Sequence, residues 1–359
     1  MAENPDRKGP SPLSARLIEQ VRRNCDISDA KYGGFYSLCG FLLRLRELYI
    51  FELGLDPWRT IEKEEMSRWI DEKQRLWSGL ENEDLTPLSI GDEVFDPFDR
   101  QGVNRAIAGE GLLYGAGRGL YMKPVFFVSE LYGRQDIEGL DVYIAGKEYA
   151  RDLSTNPAML QGRTVFARRE ITRLLLREKI EELRAGKSKE TLSLAFSHYG
   201  VDAAAGPPEI EDALDAAVDG EIKTYIRHEV GEAAETGRLG PLYGEMLALA
   251  KGRASVFLRA VKDTLADTSE RGMLRFIIEE RNEGSLGFYI SFLGGQRAVL
   301  AKAVTLAFHE FLRSRNWQAV EDARAQCRKG AMETLDEATS IYRQGGDFSK
   351  KIEARFLNP

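Results

Sequence analysis

Only three histidines, His198, His228 and His309, occur in the 359-residue chain, so imidazole chemistry has few places to reside. His228 opens the string HEVGE. Over residues 210–237 the spacing predicts a helix whose apolar stripe is Ile210, Leu214, Val218, Ile222 and Tyr225, and steps of three and four carry that face on to Glu229 and Glu232. Glu221, His228 and Glu232 run along one edge of the stripe. Carboxylates turned inward cost on the order of several kcal/mol each unless they hold a cation or a proton, or pair with Arg or Lys. A His and a Glu one turn apart are an ordinary ligand pair for a divalent transition metal, and helical bundles collect such pairs from facing helices. Glu52, which ends the stripe Leu38, Leu42, Leu45 and Tyr49 of an earlier helix, is a further inward acid. The pattern therefore predicts an interhelical acidic site, with Glu229 and Glu232 as catalytic acid and base groups and His228, Glu232, Glu52 and Glu221 as ligands of a divalent metal. HEVGE lacks the second histidine of the zinc-peptidase motif, so that activity is not carried over. The competing expectation is a non-catalytic helical interaction protein in which Arg44, Arg46, Arg281 or Arg297 neutralises Glu229 or Glu52 as a buried ion pair.

Other polar clusters carry less. His309 points away from the stripe Val304, Phe308 and Phe311, which predicts a surface histidine, and His198 sits where Gly200 ends a helix and favours the dipole there. Asp263 and Asp267 have the spacing by which acidic helices hold Mg²⁺, yet the stripe Phe257, Val261 and Leu265 places both on the other side, with Arg259 as a partner for Asp263 and Asp267 or Thr268 as a cap. Five glycines between Gly109 and Gly119 could cradle an anion, but the segment has neither a dinucleotide fingerprint nor a P-loop ending, and is read as a loop entering a β-hairpin. Glu130, Arg151, Asp152, Arg168, Arg169 and Glu170 are charges that would line a cavity if the β part covered it. No nucleophile with a legible base is present.

The elements that must position these groups are mostly helical. Residues 34–53 read as a helix apolar on most sides, suited to the middle of a bundle, and residues 60–80 as a second helix, stopped from merging with the first by Gly54 and Pro57. Between residues 85 and 162 glycine, proline and short β-branched runs take over, with strands at 123–132 and 140–145 joined by a turn at 133–139. Helical patterning returns at 168–185 and 187–199, and between Glu209 and Asn358 only Pro241 interrupts about six more helices. The expected fold is mainly α, a helical bundle with a small β-hairpin-containing segment in the N-terminal half. Its parts would be a loose tail (1–13), an N-terminal helical hairpin (14–84), the β segment (85–162) and a C-terminal bundle (163–359) sharing its core with 14–84. About 150 residues per domain gives two domains.

The net charge of −7 and the dispersal of basic residues argue against nucleic-acid binding. Cys25, Cys39 and Cys327 form no zinc or disulfide framework, and no apolar run is long enough to span a membrane. A cytoplasmic protein acting on a small-molecule substrate is the expectation. The segments NCDISDAKYGGFYSLCGFLLRLRELYIFELGLDPW, GKEYARDL, HEVGE, VKDTLADT and SLGFYISF resemble an uncharacterised bacterial family, a domain of unknown function spanning nearly the whole chain. That resemblance implies one recurrent full-length architecture and assigns no catalytic residue.

Overall fold

The structure, a computed structural model, describes residues 11–119 and 122–358. The chain divides into two units, the first comprising residues up to Gln135 together with Val142–Ile171, the second Asp136–Asp141 and Thr172 onward. Most of the expected tail, residues 1–10, lies outside the described residues, and the described chain enters a helix at once.

The first unit opens with α1 (Pro12–Tyr32), started by Ser11, whose side chain accepts from the Ser14 amide, and by Pro12 in the first turn. A short 3-10 turn (Gly33–Phe35) leads to α2 (Leu38–Leu53), capped by Ser37 and ended by Gly54 at φ +59°, and then to α3 (Lys63–Leu80). The N-terminal part is thus three helices rather than a hairpin of two. The buried face of α1 mixes apolar Leu17, Ile18, Val21, Cys25 and Ile27 with polar Ser14, Asn24, Ser28 and Asp29. Asn24 exchanges hydrogen bonds with the backbone of Thr86, Ser28 donates to the Pro124 carbonyl, and Asp29 accepts from the Leu153 amide. Nor is α2 enclosed: Leu38, Leu42 and Leu43 are exposed, while Leu45, Leu48, Tyr49 and Ile50 pack with Trp69, Trp77 and Leu153.

A two-stranded ribbon, β1 (Leu88–Ile90) and β2 (Glu93–Phe95), and a short helix, α4 (Arg100–Ala106), precede the main sheet. That sheet holds β3 (Leu112–Arg118), β4 (Pro124–Ile137), β5 (Leu140–Arg151), β6 (Ala158–Gln161) and β7 (Thr164–Arg168) in the order β3-β4-β5-β7-β6. It is larger than the small hairpin expected. Glu138 and Gly139, both at positive φ, close a two-residue turn between β4 and β5, shorter than the predicted loop. The glycine-rich segment is a strand: Gly115 and Gly117 lie in β3, and a Cβ on Gly115 would fall 2.0 Å from the Phe127 ring across the ladder. Both faces of β4 are buried, Phe126 and Val128 against α1 and α4, Val125 and Phe127 against Phe166 and Ala145. Within this unit α1, α2 and α3 pack on residues of the β segment. The charges near the sheet are paired. Arg168, 1% exposed, makes a bidentate bond to Glu148 at 2.7 and 3.0 Å, and Glu130 accepts from the Tyr149 hydroxyl.

From β7 the chain runs into α5 (Arg169–Arg184) and α6 (Lys189–His198). The second unit continues with α7 (Pro207–Leu249), which kinks at Gly240 (φ +65°) before Pro241, then α8 (Gly252–Thr268), α9 (Met273–Glu279), α10 (Glu283–Phe292), α11 (Gly295–Leu300), α12 (Lys302–Ser314), α13 (Trp317–Arg343) and α14 (Phe348–Ile352). Central α8 packs against α7, α9, α11 and α13, and its Phe257, Leu258, Val261 and Leu265 meet Met246, Ala331 and Leu335. A second core gathers Leu274, Ile277, Leu286, Val304, Phe308 and Phe311. His198 and His309 are both exposed, His198 at the end of α6, as their positions predict. Among the described residues no helix is long and apolar enough to cross a membrane.

Candidate metal centre

Two helical rungs face each other in the second unit. On α7 they are His228 and Glu232, one turn apart; on α8 they are Asp263 and Asp267, also one turn apart. The helices come close because Gly231 has no side chain: a Cβ there would lie 2.4 Å from the Ala266 carbonyl oxygen and 3.1 Å from the Gly272 Cα. Close backbone approach brings the short Asp side chain within reach of the imidazole. His228 Nδ1 stands 2.6 Å from Asp267 Oδ1, and an Arg297 nitrogen on α11 donates to Asp267 Oδ2, also at 2.6 Å.

Asp267 is fully buried, which on its own would lift its carboxyl, but Arg297 and His228 outweigh the burial and hold it below the usual range. Burial likewise opposes charge on His228, yet Asp267, with smaller contributions from Glu229 and Asp263, pushes its pKa up to about 10. Asp263 is shifted upward, mainly by burial, with His228 and Arg297 pulling the other way. Glu232 accepts from Lys262 Nζ at 2.5 Å.

His228, Glu232 and Asp263 each offer a ligand atom, and these atoms lie within 4.8 Å of one another. One imidazole and two carboxylates form a mixed nitrogen and oxygen set suited to Mn²⁺, Fe²⁺ or Zn²⁺, and three protein ligands leave room in the coordination sphere. Asp267 would fix the ring and leave its second nitrogen available, the carboxylate–histidine arrangement that tunes metal sites. Two polar atoms near the cluster, Arg259 Nε and Arg297 Nε, are buried without a hydrogen-bond partner among the described residues, and the buried Tyr289 has Asp267 and Arg297 as electrostatic neighbours. Native interiors leave few such atoms unmet.

The remaining acids predicted from sequence go elsewhere. Glu229 is buried beside His228 and contributes to its field, outside the three-ligand group. Glu221 is buried in a hydroxyl cage, accepting from Tyr199 and Ser285 at 2.6 Å each and from Thr224, and burial lifts its pKa to about 7. Tyr199 fits there because Gly220 and Gly284 leave a slot, a Cβ on either coming within 2.7 Å of the ring or its hydroxyl. Glu52 belongs to the first unit, where Lys73 Nζ meets it at 2.6 Å and Asp26 at 3.0 Å. Of the arginines expected as neutralisers, Arg297 reaches the centre, where its partner is Asp267; Arg44 bonds the Leu153 carbonyl and Thr155, and Arg46 pairs with Glu47.

Asp263 and Asp267 correct the sequence reading, which set them on a solvent side. The apolar stripe of α8 is one of several buried faces, so residues opposite it still meet α7 and α11. The signal that could have found them was the shared one-turn spacing of the two pairs, acid facing imidazole.

Residues 16–168 match the N-terminal domain, and residues 173–358 the C-terminal domain, of a family of unknown function (DUF6866). No curated protein and no solved structure matches the chain.

Proposed function

The chain belongs to the DUF6866 family, and from that premise we propose that its C-terminal unit is an enzyme built around a divalent transition metal held by His228, Glu232 and Asp263. The observation that carries this reading is the convergence of their ligand atoms within 4.8 Å, backed by the bond that orients His228 on Asp267. A metal with three protein ligands and open positions lowers the pKa of bound water and polarises a substrate oxygen, chemistry suited to hydrolysis of a small molecule. Glu229 and Glu232 supply acid and base groups at the same turn of α7.

The metal has to displace the proton that His228 carries at neutral pH, so affinity should climb as pH rises toward about 10. The test is metal analysis of protein purified without chelator at about pH 8, followed by titration with Mn²⁺, Fe²⁺ and Zn²⁺. Near-stoichiometric metal, lost in Glu232→Gln and Asp263→Asn and bound more tightly at pH 8 than at pH 6, is the expected result. A second reading rests on the Lys262–Glu232 and Arg297–Asp267 pairs, which make the acids internal partners of cations in a non-catalytic interaction protein. Protein that takes up no metal at any pH, with a melting temperature unmoved by the three ions, would favour it.

A further inference from the structure

Arg259 differs from the other enclosed cations of the chain. It lies one turn before Asp263 on α8, yet among the described residues its side chain makes no hydrogen bond or ion pair, with that acid or any other, and its Nε is buried. Every other buried or half-buried arginine of the described residues is held by a hydrogen bond, an ion pair or an aromatic ring. A guanidinium donor left buried and unmet is costly to keep unless a ligand fills it.

Its position says what kind of ligand that would be. The Tyr243 hydroxyl, which donates to the Leu258 carbonyl at 2.9 Å, has Asp263, Arg259 and Glu232 as charged neighbours, so the guanidinium shares this side of the α7–α8 contact with two of the three metal ligands. His228, Glu232, Arg259 and Asp263 are each half-buried, which leaves the group reachable from solvent. The charges agree. Lys262 already holds Glu232, and Arg297 holds Asp267. A divalent metal would offset Glu232 and Asp263, leaving Lys262 and Arg259 as cations against the buried Glu229 carboxylate. A site of that sign attracts an anion.

Resting on the metal reading above, we propose that the substrate is a phosphate monoester, its phosphoryl group bound between the metal and Arg259. One terminal oxygen would ligate the metal while two others take the Nε and terminal N–H donors of the guanidinium as a fork; a carboxylate, with two oxygens, cannot give each place its own. Hydrolysis would join water's oxygen to phosphorus and break the ester P–O bond, with one water proton going to the leaving alcohol and the other to the phosphate.

The test loads the full chain with Mn²⁺, removes unbound metal and follows the phosphorus NMR linewidth of inorganic phosphate, which the paramagnetic ion broadens on close approach. Saturable broadening with a Kd below about 10 mM, at least about tenfold weaker in Arg259→Gln and reversed by acetate only at about tenfold higher concentration or more, is the expected result. Arg259 ligates no metal and bonds no described neighbour, so Arg259→Gln should fold and take up Mn²⁺ as the parent does, and that uptake is measured alongside. Normal Mn²⁺ uptake with phosphate unbound, or bound equally by parent and Arg259→Gln, would overturn this inference and leave the metal reading standing. Acetate competing as well as phosphate, or Mn²⁺ uptake lost in Arg259→Gln, would overturn it too; a parent protein that takes up no Mn²⁺ would remove both readings.

Discussion

Glu221 shows how a buried acid can be satisfied without a cation. Three hydroxyls surround it, and among its hydrogen-bond partners none is positively charged. Its folded pKa of about 7 stands above the ordinary 4.5, so the folded state holds more protons than the unfolded state between those values. Stability from this group is therefore full at low pH and falls as pH rises through about 7. Glu221→Gln keeps an acceptor for Tyr199 and removes the titration. The variant should be more stable than the parent by about 1–3 kcal/mol at pH 8 and nearly equal at pH 4, read from urea midpoints at the two pH values. A variant weaker at pH 8 would mean that the carboxylate is ionised and favourable where it sits. At this scale the sequence was partly legible. His228 and Glu232 could be found because the apolar stripe of α7 runs into them, whereas Lys262 and Arg297 as partners depend on which helix lies opposite, and spacing within one helix does not carry that information.

Among elements, the α7–α8 crossing decides the centre. Gly231, Ala266 and Gly272 bring three stretches of backbone together, and no side chain can enter without moving a helix. Gly231→Ala should cost about 1–3 kcal/mol or more in chemical denaturation and lower metal uptake at the same time, since the rung spacing widens with the crossing. Unchanged stability would show that the helices yield easily and that the glycine is not what sets their separation. Helix α1 is less legible in the sequence because four of its inward positions, Ser14, Asn24, Ser28 and Asp29, are polar and bond side chains and loop or strand backbone, interrupting the apolar set Leu17, Ile18, Val21, Cys25 and Ile27. Strand β3 was hidden by its glycines, which are poor strand formers alone and become useful only once the Phe127 ring lies over Gly115 and the Gln161 side chain over Gly117. The kink at Gly240 and Pro241, and the Gly54 stop, were legible because both residues act through their own backbone.

For the whole molecule, length predicts two domains and apolar periodicity a mainly helical chain, while the size of the sheet and the grouping of the first three helices with it came from long-range packing. Each unit has its own buried charge clusters, Lys123 with Asp29 and Asp152 in one, Asp267 with His228 and Arg297 in the other. Three of the four tryptophans, Trp58, Trp69 and Trp77, lie in the first unit, and most helix lies in the second. Emission and far-UV ellipticity should accordingly give different denaturation midpoints, and Asp29→Asn should move the former more; coincident curves would mean that the units melt together. Lys73 adds something to this. Its ammonium sits 5.8 and 5.9 Å from the Trp69 and Trp77 rings, with Asp26 accepting from the Trp77 indole, so two of the chain's four fluorophores sit in the field of one salt bridge. The colour of the protein's own light is thus a gauge of that salt bridge, readable without any label.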